Sequence, residues 1–312
     1  RQLQSDGVSI LFVSHKLDEV FELAERFTIL RSGKMVVCRE TADITQEDFI
    51  YYMTGRKLSE EIYALDTSED RQPLLEVRNL SLPGAYENIN FTLYEGEILG
   101  ITGLLGSGRT ELALSLFGAL KAEQGEIFIR GEKVRIQSIQ DAIHNKIGYV
   151  PEDRLSEGLF LPQSIQHNMV LCKLDKLRNR AFCIDKKGIN ELTDFYIKEL
   201  GIVANNSKNA AQTLSGGNQQ KVVVSRWLSN TPSIMIFNGP TVGVDIAAKF
   251  DMHEVMRKLA KQKIGVIIIS DDISEVYANC NRIFVMKDGA FIHQLNNTDT
   301  TESELSTLMS VG

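Results

Sequence analysis

The chain has 312 residues, 43% of them apolar and 24% charged, with a net charge of −7, a length that leaves room for about two domains of roughly 150 residues and a balance that excludes a disordered, collagen-like or coiled-coil chain. The longest aliphatic run, Val266-Ile267-Ile268-Ile269, is far short of the ~18 apolar residues a membrane span needs. The acidic balance argues against an unaided nucleic-acid binder, and no secretory leader pattern is seen. Cys38, Cys172, Cys183 and Cys280 show no C-x-x-C spacing, so neither a zinc site nor a disulfide framework is expected. Opening on Arg1 in a structured-looking stretch, the sequence reads as a piece of a longer protein.

The N-terminal elements declare themselves through a repeat. Ser14–Val36 aligns without a gap with Ser270–Ile292, matching Ser, Glu, Val, Arg and Gly at 14/270, 19/275, 20/276, 26/282 and 33/289. The alignment continues to Met53 and Met309. A period of about 256 residues is a whole domain, not a solenoid unit. The chain is therefore expected to hold the tail of a first copy, 1–58, a linker, 59–72, and a complete second copy, 73–312. In each tail a buried strand (Ile10–Val13; Val266–Ile269) precedes a helix, a strand ending in a glycine turn, and a last helix. Alternating strands and helices with continuous apolar runs predict a mainly parallel sheet covered on both faces. Arg56–Gln72 carries five acids against three bases and reads as a short solvated linker. Arg1–Gly55, lacking most of a sheet, is expected to be poorly stable without a neighbour to pack on.

In the second copy an apolar run, Glu97–Gly103, leads into Gly103-Leu104-Leu105-Gly106-Ser107-Gly108-Arg109-Thr110 and then a helical stretch, Glu111–Leu120. This is the G-x-x-x-x-G-K-[ST] pattern with Arg for Lys, in its strand–loop–helix setting. Glycines let backbone amides curl around an anion, and the helix start presents free N–H groups and a positive dipole end. Thr110 offers a hydroxyl to magnesium. Arg109 keeps the charge as a planar fork, which changes its phosphate geometry.

Further on come Leu214-Ser215-Gly216-Gly217-Asn218-Gln219-Gln220-Lys221, an apolar strand Ile234–Phe237 ending in Asn238-Gly239-Pro240-Thr241, and Gly243-Val244-Asp245. That order resembles the ABC-type ATPases, an α/β P-loop NTPase fold with an added antiparallel β part and a helical subdomain. LSGGNQQK, the Arg-containing phosphate loop and Gly148-Tyr149-Val150-Pro151-Glu152-Asp153-Arg154 resemble more closely the second half of double ATPase subunits of bacterial sugar importers of the ribose, galactose and xylose type. The resemblance implies two ATPase domains docked head to tail, with two ATP molecules between them. Each ATP lies between one domain's phosphate loop (here 103–110) and the other's signature segment (here Leu214–Gln219), with Asp245 nearby. It also implies Mg2+, a missing N-terminal ABC domain, permease subunits, a sugar-binding protein, and a place on the cytoplasmic face of the membrane. Ser215 has the chemistry of a helix N-cap, and Gly216 and Gly217 leave amides open at a positive helix end.

Against the family pattern this half is altered. The magnesium-holding Asp and the water-activating Glu at the strand end are Asn238 and Gly239, and the switch histidine, present as His15 in the first-copy tail, is answered by Asp271. An amide offers no anionic oxygen to a hard cation. Loss of a general base costs roughly 10²–10⁴ in rate. Arg109, Asn238, Gly239 and Asp271 all belong to this half's own ATP site, whereas Leu214–Gly217 and His15 belong to the other. An asymmetric pair is expected: one hydrolytic site, and one that at most holds nucleotide. Glu152 falls where relatives touch magnesium and the attacking water; a plain surface acid after Pro151 is the other reading. Leu155–Asn168 resembles a permease-contacting stretch or, alternatively, a partly solvated part of the helical subdomain. Tyr86 precedes the loop as an adenine-stacking aromatic would, at a loose spacing that suits packing better. His144, His167, His253 and His293 lack ligand spacing, and Trp227 is expected to pack in the helix after LSGGNQQK.

Overall fold

The computed structural model describes residues 1–14, 17–31, 33–55, 71–177 and 184–311. In chain order the elements are α1 (Gln2–Ser5), α2 (Leu17–Leu23), β1 (Arg26–Arg31), β2 (Lys34–Glu40), α3 (Gln46–Thr54), β3 (Pro73–Leu82), β4 (Tyr86–Tyr94), β5 (Ile98–Thr102), α4 (Arg109–Leu116), β6 (Gln124–Ile129) and β7 (Glu132–Val134). There follow α5 (Ile139–His144), β8 (Ile147–Val150), α6 (Ile165–Val170), α7 (Lys186–Glu199), α8 (Gly216–Leu228), β9 (Ile234–Asn238), α9 (Ile246–Lys261), β10 (Gly265–Ile269), α10 (Ile273–Asn279), β11 (Arg282–Lys287), β12 (Ala290–Asn296) and α11 (Glu302–Val311). The chain divides into two compact units, residues 1–61 with 244–250 and residues 62–243 with 251–312.

In the first unit β1 and β2 form an antiparallel hairpin. Val20, Phe27, Ile29, Val37 and Phe49 make a small core, with Phe49 edge-on to Phe21 and Phe27. Thr45 caps α3 by accepting from the Asp48 N–H, and Gly55 ends the helix in a left-handed conformation. The repeat is structural. β11 and β12 pair like β1 and β2, and the register slips between Val285 and Met286 just as it does between Ile29 and Leu30.

Ile10–Val13 corrects the expectation of a buried strand: residues 8–14 form no strand, and Leu11 and Val13 are almost fully exposed. The counterpart β10 is buried because β5 and β9 flank it on both sides. Among the described residues the first unit has only the β1–β2 pair, so an apolar run there has no ladder to join. Apolar character made the strand legible; its partners make it a strand.

The second unit has a six-stranded sheet in the order β12-β11-β5-β10-β9-β8. All its pairs are parallel except the β11–β12 edge. Every residue of β5, β9 and β10 is buried, as expected of strands covered on both faces. A four-stranded antiparallel sheet, β4-β3-β6-β7, shares its core. The helical part packs α6 against α7 and α8. There, buried Arg226 donates to the Asn168 carbonyl and side chain, while Asn168 holds both backbone polar groups of Phe160. The expected α/β P-loop architecture, with an antiparallel part and a helical subdomain, is the one observed. Ile101 pairs with Ile269, and Ile269 with Asn238. The segments leaving β5, β9 and β10 therefore emerge side by side at the carboxyl edge of the sheet, where open α/β folds bind ligands.

Candidate nucleotide-binding site

The phosphate loop is built by close approach. A Cβ at Gly103 would lie 2.3 Å from the Met286 carbonyl, and one at Gly108, where φ is +94°, 2.3 Å from the Ala85 carbonyl. Only glycine fits at either place, so the loop lies close against β11 and the turn that leads into β4. Gly106, by contrast, has nothing within 4 Å of where a Cβ would sit. Leu104 and Leu105 are exposed at the crest, whereas Ser107 is buried and its Oγ has no hydrogen-bond partner among the described residues. The helix that follows is α4, which ends at Leu116 instead of the expected Leu120; Gly118, at φ +74°, breaks it.

Arg109 turns inward. It is only 5% exposed, donates through Nη1 to the Gly103 carbonyl, and places Nη2 3.4 Å from Asp271 Oδ2. Two of the departures from the family pattern thus meet: the arginine of the loop and the acid at the switch position form an ion pair. Thr110 follows, half-buried. Tyr86 is buried within β4, which makes it a packing residue and not an adenine platform.

At the end of β9, Asn238 is buried, and its Nδ2 donates to the Tyr149 hydroxyl at 3.2 Å. Burial raises the Tyr149 pKa to about 12, against the lowering effect of the Asn238 hydrogen bond and with Glu157 and Glu152 nearby raising it further. Gly239 has φ +55°, and a Cβ there would lie 2.7 Å from Glu152 Cγ. Glu152 is exposed beside it. No cluster of three or more His, Cys, Asp or Glu side chains that could hold a metal exists among the described residues. The residues present leave room for a polyphosphate, with open space at Gly106 and a buried Ser107 hydroxyl that has no partner among the described residues, while the charge of Arg109 is shared with the Gly103 carbonyl and Asp271. They do not fit a firmly held Mg2+, because the strand-end carboxylate is an amide already committed to a phenol.

The signature segment corrects a second expectation. Ser215 occupies the N-cap position of α8, but its side chain makes no capping bond. Its Oγ accepts instead from Asn218 Nδ2 at 2.8 Å, and Asn218 Oδ1 accepts from the Val203 N–H at 2.8 Å. The first backbone bond of the helix is Gln219 N–H to the Ser215 carbonyl. The amides of Gly216, Gly217 and Asn218 are left without an acceptor among the described residues, as the opening N–H groups of an uncapped helix are. Leu214 is half-buried and Gln219 buried. Asp245 is exposed and its Oδ1 accepts from the Ala248 N–H, so the structure uses it to start α9.

The phosphate loop, Asn238–Gly239 and Asp271 are thus brought together at one sheet edge. The signature tip is held by different neighbours: Arg154, Val203 and Gly243. His15 lies outside the described residues, as do Cys183 and most of the expected linker. Of the histidines set aside, His253 pairs with Glu275 in the core at 3.1 Å. Trp227 packs edge-on against Phe117. Sequence reasoning overlooked two residues. Tyr149 stands in the sequence only as one residue of the Gly148–Arg154 motif, and Arg154 touches both the strand-end loop and the signature helix. No local signal identifies either, because their partners lie 65 to 89 residues away in the chain.

A phosphate loop and an uncapped signature helix on a mainly parallel sheet define a nucleotide-binding cassette. The family profile for ABC transporters matches residues 86–242, and the chain belongs to that family. It is 39% identical over 304 residues to the ribose import ATP-binding protein RbsA of Clostridium tetani, an alignment covering 97% of this chain and 60% of that protein. It is 36% identical over 308 residues to a putative ribose/galactose/methyl galactoside import ATP-binding protein of Burkholderia cenocepacia, covering 99% and 60%. The chain therefore spans about three-fifths of the length of these relatives. Among solved structures, the ADP conformation of MJ1267, an ATP-binding cassette of an ABC transporter, superposes with a TM-score of 0.64 at 18% identity, covering 76% of this chain and 95% of that one. The cassette MJ0796 bound to ADP and Pi gives 0.61 at 20% identity, covering 72% and 99%. At those identities the likeness is one of fold.

Proposed function

We propose that this chain is the C-terminal part of the ATP-binding subunit of a bacterial sugar importer, in which it completes an ATP site held by another domain. Residues 1–58 are the tail of a first ABC domain, 59–72 a linker and 73–312 a second ABC domain. The observation that carries the reading is the contrast between two segments of the second domain. At one, α8 begins with three open amides and a serine that withholds its cap. At the other, the strand end presents Asn238 and Gly239 where hydrolysis needs acids. A helix tip of this kind stabilises a phosphate brought to it.

The domain's own pocket, residues 103–110 with Asp271, Asn238 and Gly239, holds a nucleotide without cleaving it. Bound ATP supplies the polyphosphate and, where Mg2+ accompanies it, Thr110 and Glu152 are the residues nearest to a ligand role. In the complementary site the hydrolytic groups come from the first domain, with His15 as its switch histidine. On this reading the partners are permease subunits and a sugar-binding protein, and the location is the cytoplasmic face of the membrane; the likeness to sugar-import subunits supports it. No helix among the described residues is long and apolar enough to cross a membrane, which agrees with a peripheral subunit.

A second reading, a scaffolding pseudo-ATPase, is favoured specifically by the Asn238–Tyr149 bond, which fills the catalytic edge with a structural contact. Steady-state ATP hydrolysis separates the two. The chain alone is expected at background, and mixing it with the part of the Clostridium tetani relative that this chain does not span, read here as carrying the first ABC domain, should restore turnover. Ordinary turnover by the chain alone rejects the asymmetric reading, and silence of the mixture supports scaffolding.

A further inference from the structure

We infer that Arg154 is a positioning residue that clips the loop after β9 to the first turn of α8, so that the strand-end loop of this domain's own pocket sets the placement of the tip it donates. The role of the tip rests on the function proposed above; the clip itself does not.

Arg154 opens a single π-turn, Arg154–Gly158, steadied by Asp153, whose Oδ1 accepts from the Leu155 and Ser156 N–H groups and whose Oδ2 accepts from the Ser156 hydroxyl. From that fixed base the guanidinium donates through Nη1 to the Val242 carbonyl at 2.8 Å and through Nη2 to the Gly243 carbonyl at 3.0 Å. Nε reaches Gln219 Oε1, in the first turn of α8, at 3.4 Å. A Cβ at Gly216 would lie 2.7 Å from Nη2, and one at Gly243 3.4 Å from Nη1. The guanidinium therefore fills the space that side chains at both ends would take. Two residues earlier, Glu152 lies against Gly239. Residues 152–154 thus touch 239, 242 and 243 on one side, and 216 and 219 on the other.

The partners explain the choice of residue. The three bonds go to two carbonyls and a side-chain amide oxygen, so what they fix is geometry. A planar fork holds two successive carbonyls while its third edge reaches another acceptor; lysine, a single point donor, cannot do both. Any shift of Val242–Gly243 must drag or release the guanidinium lying on Gly216, two residues before the last of the open amides.

Amide hydrogen exchange on the chain by itself tests the clip. R154Q is expected to speed exchange about tenfold or more in two separate segments, 219–222 and 242–244, with R154K intermediate, since local openings set exchange rates. G216A, which pushes on the guanidinium without removing it, should give the same two-segment pattern at smaller amplitude; it keeps the test alive if R154Q fails to fold. Acceleration confined to 154–158 overturns the clip. In the mixture with the first domain, R154Q should lower kcat about tenfold at unchanged KM for ATP, the pattern of an interaction made only on the way to the transition state. Unchanged kcat beside two-segment exchange overturns the coupling to the tip. A mixture silent even with the wild-type chain counts against site donation, and the exchange experiment still decides the clip.

Discussion

Asn238 and Tyr149 show how one amide reshapes a catalytic edge. A carboxylate at 238 would face a buried phenol whose proton is held up to about pH 12; the amide donates to that phenol at no cost in charge. Because the folded pKa of Tyr149 lies above the ordinary value of 10, the unfolded chain loses the proton first as pH rises. Stability from this group is complete below pH 10 and falls as pH climbs from 10 to about 12, by up to about 3 kcal/mol for two units. Y149F should flatten that fall in denaturant titrations run across the window. At Gly239 the obstacle is steric. G239E asks for a side chain at φ +55° with Glu152 Cγ 2.7 Å from the new Cβ. It should cost about 1–3 kcal/mol in thermal unfolding, and ATP turnover by the N238D/G239E chain alone should stay at background because Arg109 remains paired with Asp271.

For single elements, α8 separates capping from function. A capping serine is worth about 0.5–2 kcal/mol, but Ser215 spends its hydroxyl on Asn218, so S215A should change stability by less than about 0.5 kcal/mol in urea unfolding. A full capping loss would show that the hydroxyl does cap the helix in solution. G217D places an anion among the open amides of the same tip and should abolish turnover in the two-domain mixture; unchanged turnover contradicts the head-to-tail arrangement. The Ile10–Val13 segment makes the converse point. With no strand beside it among the described residues, its amides should exchange at nearly unprotected rates, whereas those of β10, bonded on both sides, should be among the slowest in the chain. Strong protection of residues 10–13 would mean that a partner strand exists in solution.

Considered as a whole molecule, the chain is unequal in its cores. Among the described residues, five buried apolar side chains hold the first unit, whereas one contiguous core runs through both sheets of the second. Residues 26–54 should therefore exchange and unfold well before β5, β9 and β10. Equal protection in the two regions would show that the first unit is stabilised by more than its own core.

The sequence by itself determined the repeat, the phosphate loop, the signature helix and the absence of acids at 238 and 239, because each is written in contiguous residues whose spacing carries the chemistry. It placed the sheet strands through their apolar runs, and it went astray where an apolar run lacks neighbours, as at Ile10–Val13. Only the tertiary structure decided which side chains meet: Arg109 with Asp271, Asn238 with Tyr149, and Arg154 with the carbonyls of Val242 and Gly243. The same holds for the cap that Ser215 withholds. These contacts join residues far apart in the chain or depend on which of two nearby acceptors a hydroxyl faces, and neither leaves a local pattern. Periodicity and motif report what a segment can become; the packed sheet edge fixes which partners it finds.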